Sequence, residues 1–191
     1  MHQTINAAGW TCPRPIIETK KLLDLMEEGS VTTIVDNETA VKNLFDFAAG
    51  QGYKASRENN GELFHITIQK QGAAAASRRE GDLVITITSD QMGTGDRDFG
   101  ESLMKSYIYA LTEADMKPKS LIFINSGVNL TTEGSPVIES LRTLEAQGVE
   151  ILSCGACLDF YGLSEKLAIG TVSNMYNFVE KMNNAGNTVR F

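Results

Sequence analysis

The chain has 191 residues, of which 42% are hydrophobic, and it carries a formal net charge of −7. This composition is typical of a soluble globular protein with one domain or two small ones. The negative charge argues against nucleic acid as a partner, because phosphate backbones are bound by basic surfaces.

The location of the protein is predicted from what the sequence lacks. No stretch approaches the roughly 18 consecutive apolar residues that span a bilayer, and the first residues contain no signal-peptide core. We therefore expect a cytoplasmic protein that makes no membrane contact. Three cysteines in such a chain favour reactive or metal-bound thiols over a disulfide framework.

The first part of the chain predicts a small βαβαββ unit. The predicted strands are residues 3–6, 31–35, 53–58 and 63–69. One predicted helix begins at Pro13, and a second covers residues 39–51. Apolar residues recur every three or four positions in the helices, and Asn59-Asn60-Gly61 predicts a hairpin turn between the last two strands. The expected fold is a two-layer sandwich over residues 1–71.

Residues 72–81 are small or charged and have no apolar periodicity, so they predict a linker between two domains. Beyond it, the domain at 82–191 alternates strands with helices. The predicted strands are 83–88, 121–125, 149–153 and 188–191; the helices are 98–114, one that carries Val137, Leu141 and Leu144, and 172–183. This alternation predicts a parallel sheet in a three-layer, Rossmann-like or flavodoxin-like arrangement.

The most informative motif is Cys12-Pro13-Arg14-Pro15, at the start of the first helix. Proline is tolerated in a first helical turn, and we place Cys12 at the N-cap with Pro13 and Pro15 at the first and third helical positions. The helix dipole and the Arg14 cation would then stabilise a thiolate. Such a nucleophile can carry sulfur or selenium, whereas the alternative is a small buried apolar residue.

A second thiol site follows the predicted strand 149–153. In open parallel sheets, ligands bind beyond the carboxyl ends of the strands, where 89–95, 125–128 and 154–157 should meet. The candidate pocket residues there are Ser89, Gly93, Gly95, Asn125, Ser126 and Gly127. The loop at 93–100 fits neither the dinucleotide-binding glycine motif nor the P-loop motif. We predict Asp98 as the cap of the helix that follows.

Four interpretations of Cys154 and Cys157 stay open. Half a zinc site would need further ligands, and the histidines are distant in sequence, so no metal is expected. A thioredoxin-type dithiol is a second interpretation, although no proline follows it in the usual place. A sulfur-accepting thiol with a second thiol to resolve it is the third, and a pair of core cysteines is the fourth.

Two families resemble parts of the chain. Residues 5–15, through Cys12-Pro13-Arg14-Pro15, resemble the TusA/SirA-like sulfur-carrier domain over about residues 1–70, except that Asn6 stands where many members have Asp. Residues 82–191 resemble the DsrE/TusD-like domains, with a strand followed at once by Cys154. This order of domains is similar to that of the YedF-type proteins associated with selenium metabolism.

The resemblance implies a function in sulfur or selenium transfer without a cofactor. Cys12 would accept a persulfide or selenylsulfide from a cysteine desulfurase or a related donor, and the cargo would pass to a downstream acceptor protein. The resemblance favours Cys154 over Cys157 as the second acceptor, with homo-oligomerisation through the DsrE-like domain. The alternatives are a non-catalytic regulatory or binding module and a Cys154/Cys157 dithiol oxidoreductase.

Overall fold

The computed structural model describes residues 1–11, 13–71 and 82–191, and the chain divides into two compact units, Met1–Arg78 and Arg79–Phe191. Cys12 and the predicted linker at 72–81 lie outside the described residues. Within the described ranges, no helix is long and apolar enough to cross a membrane. The same residues contain no cluster of three or more His, Cys, Asp or Glu side chains suited to a metal ion.

The N-terminal unit has the predicted βαβαββ order, which the structure confirms. Its elements are β1 (His2–Asn6), α1 (Arg14–Asp24), β2 (Gly29–Val35), α2 (Glu38–Gly50), β3 (Lys54–Asn60) and β4 (Leu63–Lys70). The sheet order is β1-β2-β4-β3, in which β1 and β2 are parallel and the other pairs are antiparallel. Because β1 and β2 are parallel, their carboxyl ends meet at one edge, where α1 and α2 begin.

The core of this unit lies between the two helices and one face of the sheet. Its fully buried side chains include Leu23, Val31, Val35, Leu44, Ile66 and Ile68. Strand β3 is almost wholly exposed, as expected for an edge strand with a solvated face. The unit is therefore the two-layer sandwich that the sequence predicts.

The start of α1 differs by one residue from the prediction. Pro13, not Cys12, is the N-cap, and its carbonyl accepts hydrogen bonds from the N–H groups of Ile16 and Ile17 at 3.1 and 3.2 Å. Pro15 consequently lies at the second helical position rather than the third. Both prolines still lie where a backbone N–H would have no intrahelical acceptor. Cys12 directly precedes the N-cap in the chain.

The C-terminal unit is an all-parallel sheet with helices, also as predicted. Its elements are β5 (Leu83–Ile87), α3 (Arg97–Glu113), β6 (Ser120–Phe123), α4 (Ile138–Ala146), β7 (Glu150–Cys154), α5 (Gly155–Phe160), β8 (Thr171–Ser173), α6 (Met175–Asn183) and β9 (Asn187–Arg190). The strand order is β8-β7-β6-β5-β9. Short 3-10 helices cover Asn125–Thr131 and Ser164–Lys166.

The reversal of strand order places α6 apart from α3 and α4. Strands β5, β6 and β7 progress toward one edge, and α3 and α4 contact each other on one face. The chain then returns through α6 to β9 at the opposite edge, and right-handed crossovers place this helix on the other face. There Thr86 of β5 contacts Met182 of α6. The sheet is therefore covered on both faces.

Three predicted boundaries in this unit are wrong. Val172 lies in β8, and α6 begins only at Met175 because the Asn174 side chain caps it by accepting the N–H of Asn177. Asp96 rather than Asp98 caps α3, since its carboxylate accepts the N–H of Phe99 at 2.9 Å.

The third correction concerns Asn125. This residue opens the 3-10 helix Asn125–Thr131 instead of ending strand β6, which stops at Phe123. Its φ of 52° is incompatible with a strand. The change of direction turns the chain across the end of the sheet, toward α5.

Candidate functional site

The loop between β1 and α1 carries the first candidate thiol and is held at several points. The side-chain oxygen of Asn6 accepts a hydrogen bond from the N–H of Ala8 at 3.2 Å. Asn6 therefore makes the hydrogen bond that an Asp carboxylate would make at this position. Gly9 has φ 78°, a conformation that glycine adopts without steric cost. The N–H of Trp10 donates to the carbonyl of Ala7 at 3.1 Å. The loop is thus closed just before Cys12.

Asp36, at the end of β2, anchors this loop from the neighbouring strand. Its carboxylate accepts hydrogen bonds from the Asn37 side chain at 2.9 Å and from the N–H of Gly9 at 2.6 Å. These two donors, Asn37 first, lower the pKa of Asp36 below its ordinary value. The carboxylate is therefore ionised throughout the neutral range. No sequence motif marks this carboxylate as a functional candidate.

A pocket of about 240 Å³ lies between the first turns of α1 and α2. Its lining is mostly apolar and consists of Trp10, Thr11, Pro13, Pro15, Ile16, Asn37, Thr39, Ala40 and Asn43. Cys12 lies outside the described residues, but both of its neighbours in the chain line this pocket. Two helix amino ends converge here, and the partial positive charge of each favours an anion.

Exposed Arg14 packs on Trp10, a partly buried residue that lines the pocket. The guanidinium carbon of Arg14 lies 4.2 Å from the centroid of the Trp10 ring, a cation–π contact. This contact holds a formal cation in the first turn of α1, two residues after Cys12.

Buried hydroxyls fix the first turn of α1 on the sheet. Thr19 donates a hydrogen bond to the carbonyl of Pro15 at 2.7 Å, and its hydroxyl lies 2.6 Å from that of Thr33 in β2. Both threonines are fully buried. Since the Thr19 proton is used on Pro15, Thr33 is the donor of the second bond. Every buried hydroxyl in this chain of contacts has a partner, as buried polar groups require.

The two thiols of the C-terminal unit have different surroundings. Cys154 is the last residue of β7 and is only 5% exposed, whereas Cys157, in the first turn of α5, is half-buried. Both are free thiols. Burial, and then the hydrogen-bonding contact with Cys157, raises the pKa of Cys154 above its ordinary value. Cys154 is therefore a poor nucleophile in this state.

Cys157 contacts the loop that follows β6. The backbone N–H of Asn125 donates a hydrogen bond to Sγ of Cys157 at 3.2 Å. The Asn125 side chain in turn accepts the hydroxyl of Tyr161 at 2.8 Å. Tyr161 was not predicted, because no sequence pattern connects residues 36 positions apart.

The predicted pocket residues divide into two groups. Asn125 meets Cys157, and Gly127 lies against the end of β5, where an added Cβ would be 2.3 Å from the carbonyl oxygen of Ile87 and 3.4 Å from the N atom of Ser89. The convergence of 125–127 with 154–157 at the carboxyl edge is thus present in the structure. Gly93 and Gly95 are exposed, and an added Cβ at either would have no neighbour within 4 Å.

Two family models match the chain. Residues 3–70 match the model described as Sulfurtransferase TusA, and residues 91–191 match that of the DsrE/DsrF-like family. The chain is 35% identical to the sulfur carrier protein TusA of Allochromatium vinosum over 71 residues, which are 36% of this chain and 92% of that protein. It is also 26% identical to an uncharacterized protein of Methanocaldococcus jannaschii over 202 aligned residues, covering 95% of this chain and 71% of the other.

Among solved structures, a SirA-like protein from Desulfitobacterium hafniense is 37% identical, with 35% of this chain and 95% of that chain covered and a TM-score of 0.34. The family assignment rests on the two models and on the TusA relative. The match covers nearly the whole length of that relative. The chain therefore belongs to the TusA sulfurtransferase family through residues 3–70 and to the DsrE/DsrF-like family through residues 91–191.

Proposed function

We propose that this protein is a sulfur carrier whose Cys12 accepts a persulfide sulfur from a donor enzyme and passes it to an acceptor protein. The observation that carries the proposal is the pocket between the first turns of α1 and α2, whose lining includes both chain neighbours of Cys12. The TusA relative, itself a sulfur carrier by name, supports the same role. A cysteine desulfurase is the donor class that this chemistry requires.

Loading is a thiol exchange with no net oxidation. The Cys12 thiolate attacks the terminal sulfur of the donor persulfide, the donor's S–S bond breaks, and the donor cysteine leaves as a thiolate. Cys12 then carries the perthiol, Cys12–S–SH. The amino end of α1 and the Arg14 cation favour the anionic forms on this side of the reaction.

The C-terminal unit supplies a second station for the cargo. The resemblance favours Cys154 as the acceptor, with Cys157 as the thiol that releases the cargo by forming a disulfide. Both are free thiols at the junction of β7 and α5, which supports a paired role. Transfer from Cys12 to this pair, within one chain or between two, forms part of the proposal.

The same exchange carries selenium when the donor holds a selenylsulfide. The order of the two families along the chain resembles that of the YedF-type proteins associated with selenium metabolism, so both elements are candidate cargoes. Sulfur and selenium differ by mass, so one measurement separates them.

Intact-protein mass spectrometry tests the proposal. The reduced protein is treated with a cysteine desulfurase and either cysteine or selenocysteine, beside the variants Cys12→Ser, Cys154→Ser and Cys157→Ser. We expect adducts of about 32 or about 79 Da that disappear with Cys12→Ser. An unmodified protein with accessible thiols would refute the carrier function and favour a binding module.

A dithiol oxidoreductase is the second candidate, because two free thiols lie three residues apart where β7 ends and α5 begins. It predicts turnover of a disulfide substrate that survives Cys12→Ser and is lost with Cys154→Ser or Cys157→Ser. Sulfur loading at Cys12 without disulfide turnover would exclude it.

A further inference from the structure

We infer that Cys157, not Cys154, is the thiol of the C-terminal unit that meets a partner's sulfur, and that Tyr161 positions the Asn125 N–H that holds the sulfur anion. This inference rests on the proposed sulfur-transfer function, and it reverses the roles that the sequence predicts for the two cysteines. It is carried by the different burial of the two thiols and by two contacts of Asn125, one with Cys157 and one with Tyr161.

Accessibility is the first step. Thiol exchange requires the attacking sulfur to approach the partner's S–S bond along its axis, so the entry thiol must be reachable from outside. Cys157 is half-buried, whereas Cys154 is 5% exposed and ends a buried strand. A partner's persulfide therefore reaches Cys157 first.

The position of Cys154 at the N-cap of α5 does not compensate for its burial. A helix amino end favours a thiolate, but α5 has only six residues and its dipole is correspondingly small. Desolvation dominates, since the pKa of Cys154 is raised rather than lowered. In many dithiol motifs the N-cap cysteine is the exposed nucleophile. Here the N-cap cysteine, Cys154, is buried and the second cysteine, Cys157, is the more accessible one.

The hydrogen bond from Asn125 is the second step. Its N–H lies 3.2 Å from Sγ of Cys157, and a thiolate Sγ at that position would accept a stronger, charge-assisted bond. No side chain is needed as the donor. The attacking thiolate is thus stabilised by backbone that is already in place.

The third step is the Tyr161 contact. Asn125 has φ 52°, which non-glycine residues rarely adopt, and its side chain accepts the Tyr161 hydroxyl at 2.8 Å. Tyr161 lies just after α5, the helix that carries Cys157. The Tyr161 hydroxyl therefore connects Asn125, whose N–H is the hydrogen-bond donor, to the same segment that carries the Cys157 thiol.

The proposed chemistry is balanced at each step. The Cys157 thiolate attacks the terminal sulfur of a persulfide, giving Cys157–S–SH and releasing the donor as a thiolate. Cys154, deprotonated as it attacks, then bonds to Sγ of Cys157 and expels hydrosulfide. The two thiols are oxidised to a disulfide while the sulfane sulfur is reduced, and a dithiol reductant restores the pair.

The test uses the full chain with Cys12→Ser, so that only the C-terminal thiols react. Glutathione persulfide is the probe, and Cys154→Ser or Cys157→Ser is added to that background. We expect Cys157, in the chain with Cys154→Ser, to gain about 32 Da at least tenfold faster than Cys154 gains it in the chain with Cys157→Ser. With both thiols present, we expect a disulfide and released sulfide.

Faster loading of Cys154, or equal rates at the two thiols, would overturn the assignment. Because the probe is a small persulfide, this result does not depend on a desulfurase. Failure of Cys12 loading would refute the proposed function, whereas failure here would refute only the assignment of Cys157.

The role of Tyr161 is tested by a spectroscopic signature in the chain with Cys12→Ser and Cys154→Ser. The amide proton of Asn125 should change its chemical shift in the NMR spectrum when Cys157 is persulfidated, because its acceptor Sγ gains a sulfur substituent, while that of Gly127, which donates to the carbonyl of Ile124, should not. Tyr161→Phe should reduce this shift and slow loading about threefold to tenfold; Tyr176→Phe, at an exposed tyrosine, is the matched control. If the Asn125 amide shifts equally in Tyr161→Phe and in the parent protein, Tyr161 does not position this N–H.

Discussion

The N–H of Asn125 and Sγ of Cys157 are joined by a hydrogen bond of 3.2 Å between segments 32 residues apart in the sequence. The bond connects the carboxyl end of β6 to the first turn of α5. Whatever fixes the backbone of Asn125 therefore also fixes the surroundings of this thiol. Asn125 and Gly127 provide two ways to disturb that backbone.

The effect of substituting Asn125 on the free energy of unfolding should depend on the shape of the new side chain. Asn125→Gly should lower the free energy of unfolding only slightly, because glycine adopts φ 52° readily and only the exposed hydrogen bond from Tyr161 is lost. Asn125→Val should lower that free energy by about 1–3 kcal/mol, since a β-branched residue is strained there. Urea denaturation measures both, and equal stability of the two variants would show that the backbone has moved to negative φ.

Gly127→Ala should disturb the end of the sheet. The new Cβ would lie 2.3 Å from the carbonyl oxygen of Ile87, so the 3-10 helix must shift, at a cost of about 1–3 kcal/mol in unfolding free energy. Loading of Cys157 should slow as Asn125 moves with that helix. Gly95→Ala is the control, because an added Cβ there meets nothing within 4 Å. Equal effects of the two substitutions would contradict the packing described for Gly127.

Tyr107 should make stability depend on alkaline pH. Burial raises its pKa to about 12, and its ring packs edge-on against Phe191 with centroids 4.5 Å apart. Because the unfolded chain titrates near pH 10, the contribution of Tyr107 to stability is complete below about pH 10 and is lost as the pH rises toward 12.

The measurement is the free energy of unfolding of wild type and Tyr107→Phe between pH 8 and about 12. The wild type should lose stability more steeply in the upper part of this range, whereas other titrating groups act alike in both proteins. Parallel curves would mean that the Tyr107 hydroxyl is hydrated in the folded state.

Asp36→Ala should slow sulfur loading of Cys12 several-fold. The substitution removes the acceptor of the Gly9 N–H, so the loop before Cys12 loses its contact with the end of β2. The pKa of Asp36 is lowered, so this contact keeps its charge as the pH falls and is lost only below the ordinary range of Asp. Initial rates of persulfide formation with a desulfurase measure the effect. Asp46→Ala, on the exposed face of α2, should load at the wild-type rate; equal loading of both variants would contradict the anchoring role of Asp36.

Local patterns predicted the architecture well. Apolar spacing identified α1 and α2, and β-branched runs identified β2, β5 and β7 as strands. Parallel-sheet topology then predicted that 125–128 and 154–157 would meet, which the Asn125–Cys157 contact illustrates. Asp36 was within reach of the same argument, since it follows β2 just as the Cys12 loop follows the parallel strand β1.

Boundaries and burial were harder to predict because they depend on competing local contacts. Asp96 and Asp98 are equally good caps by residue type, and only the hydrogen bond to Phe99 decides between them. The sequence Cys154-Gly155-Ala156-Cys157 contains two identical thiols. Which one is buried depends on where β7 ends and α5 begins, and that is set by packing across the sheet rather than by the motif.

The central claim is that sulfur enters the protein at Cys12. A single-turnover experiment with a persulfide-loaded cysteine desulfurase, quenched at intervals, alkylated and mapped by peptide mass spectrometry, tests it most directly. We predict that the peptide with Cys12 gains sulfur first, that the peptide with Cys154 and Cys157 then gains it transiently before its disulfide forms, and that Cys12→Ser abolishes both signals. Sulfur that reaches the Cys154–Cys157 peptide at an unchanged rate in Cys12→Ser would contradict the account.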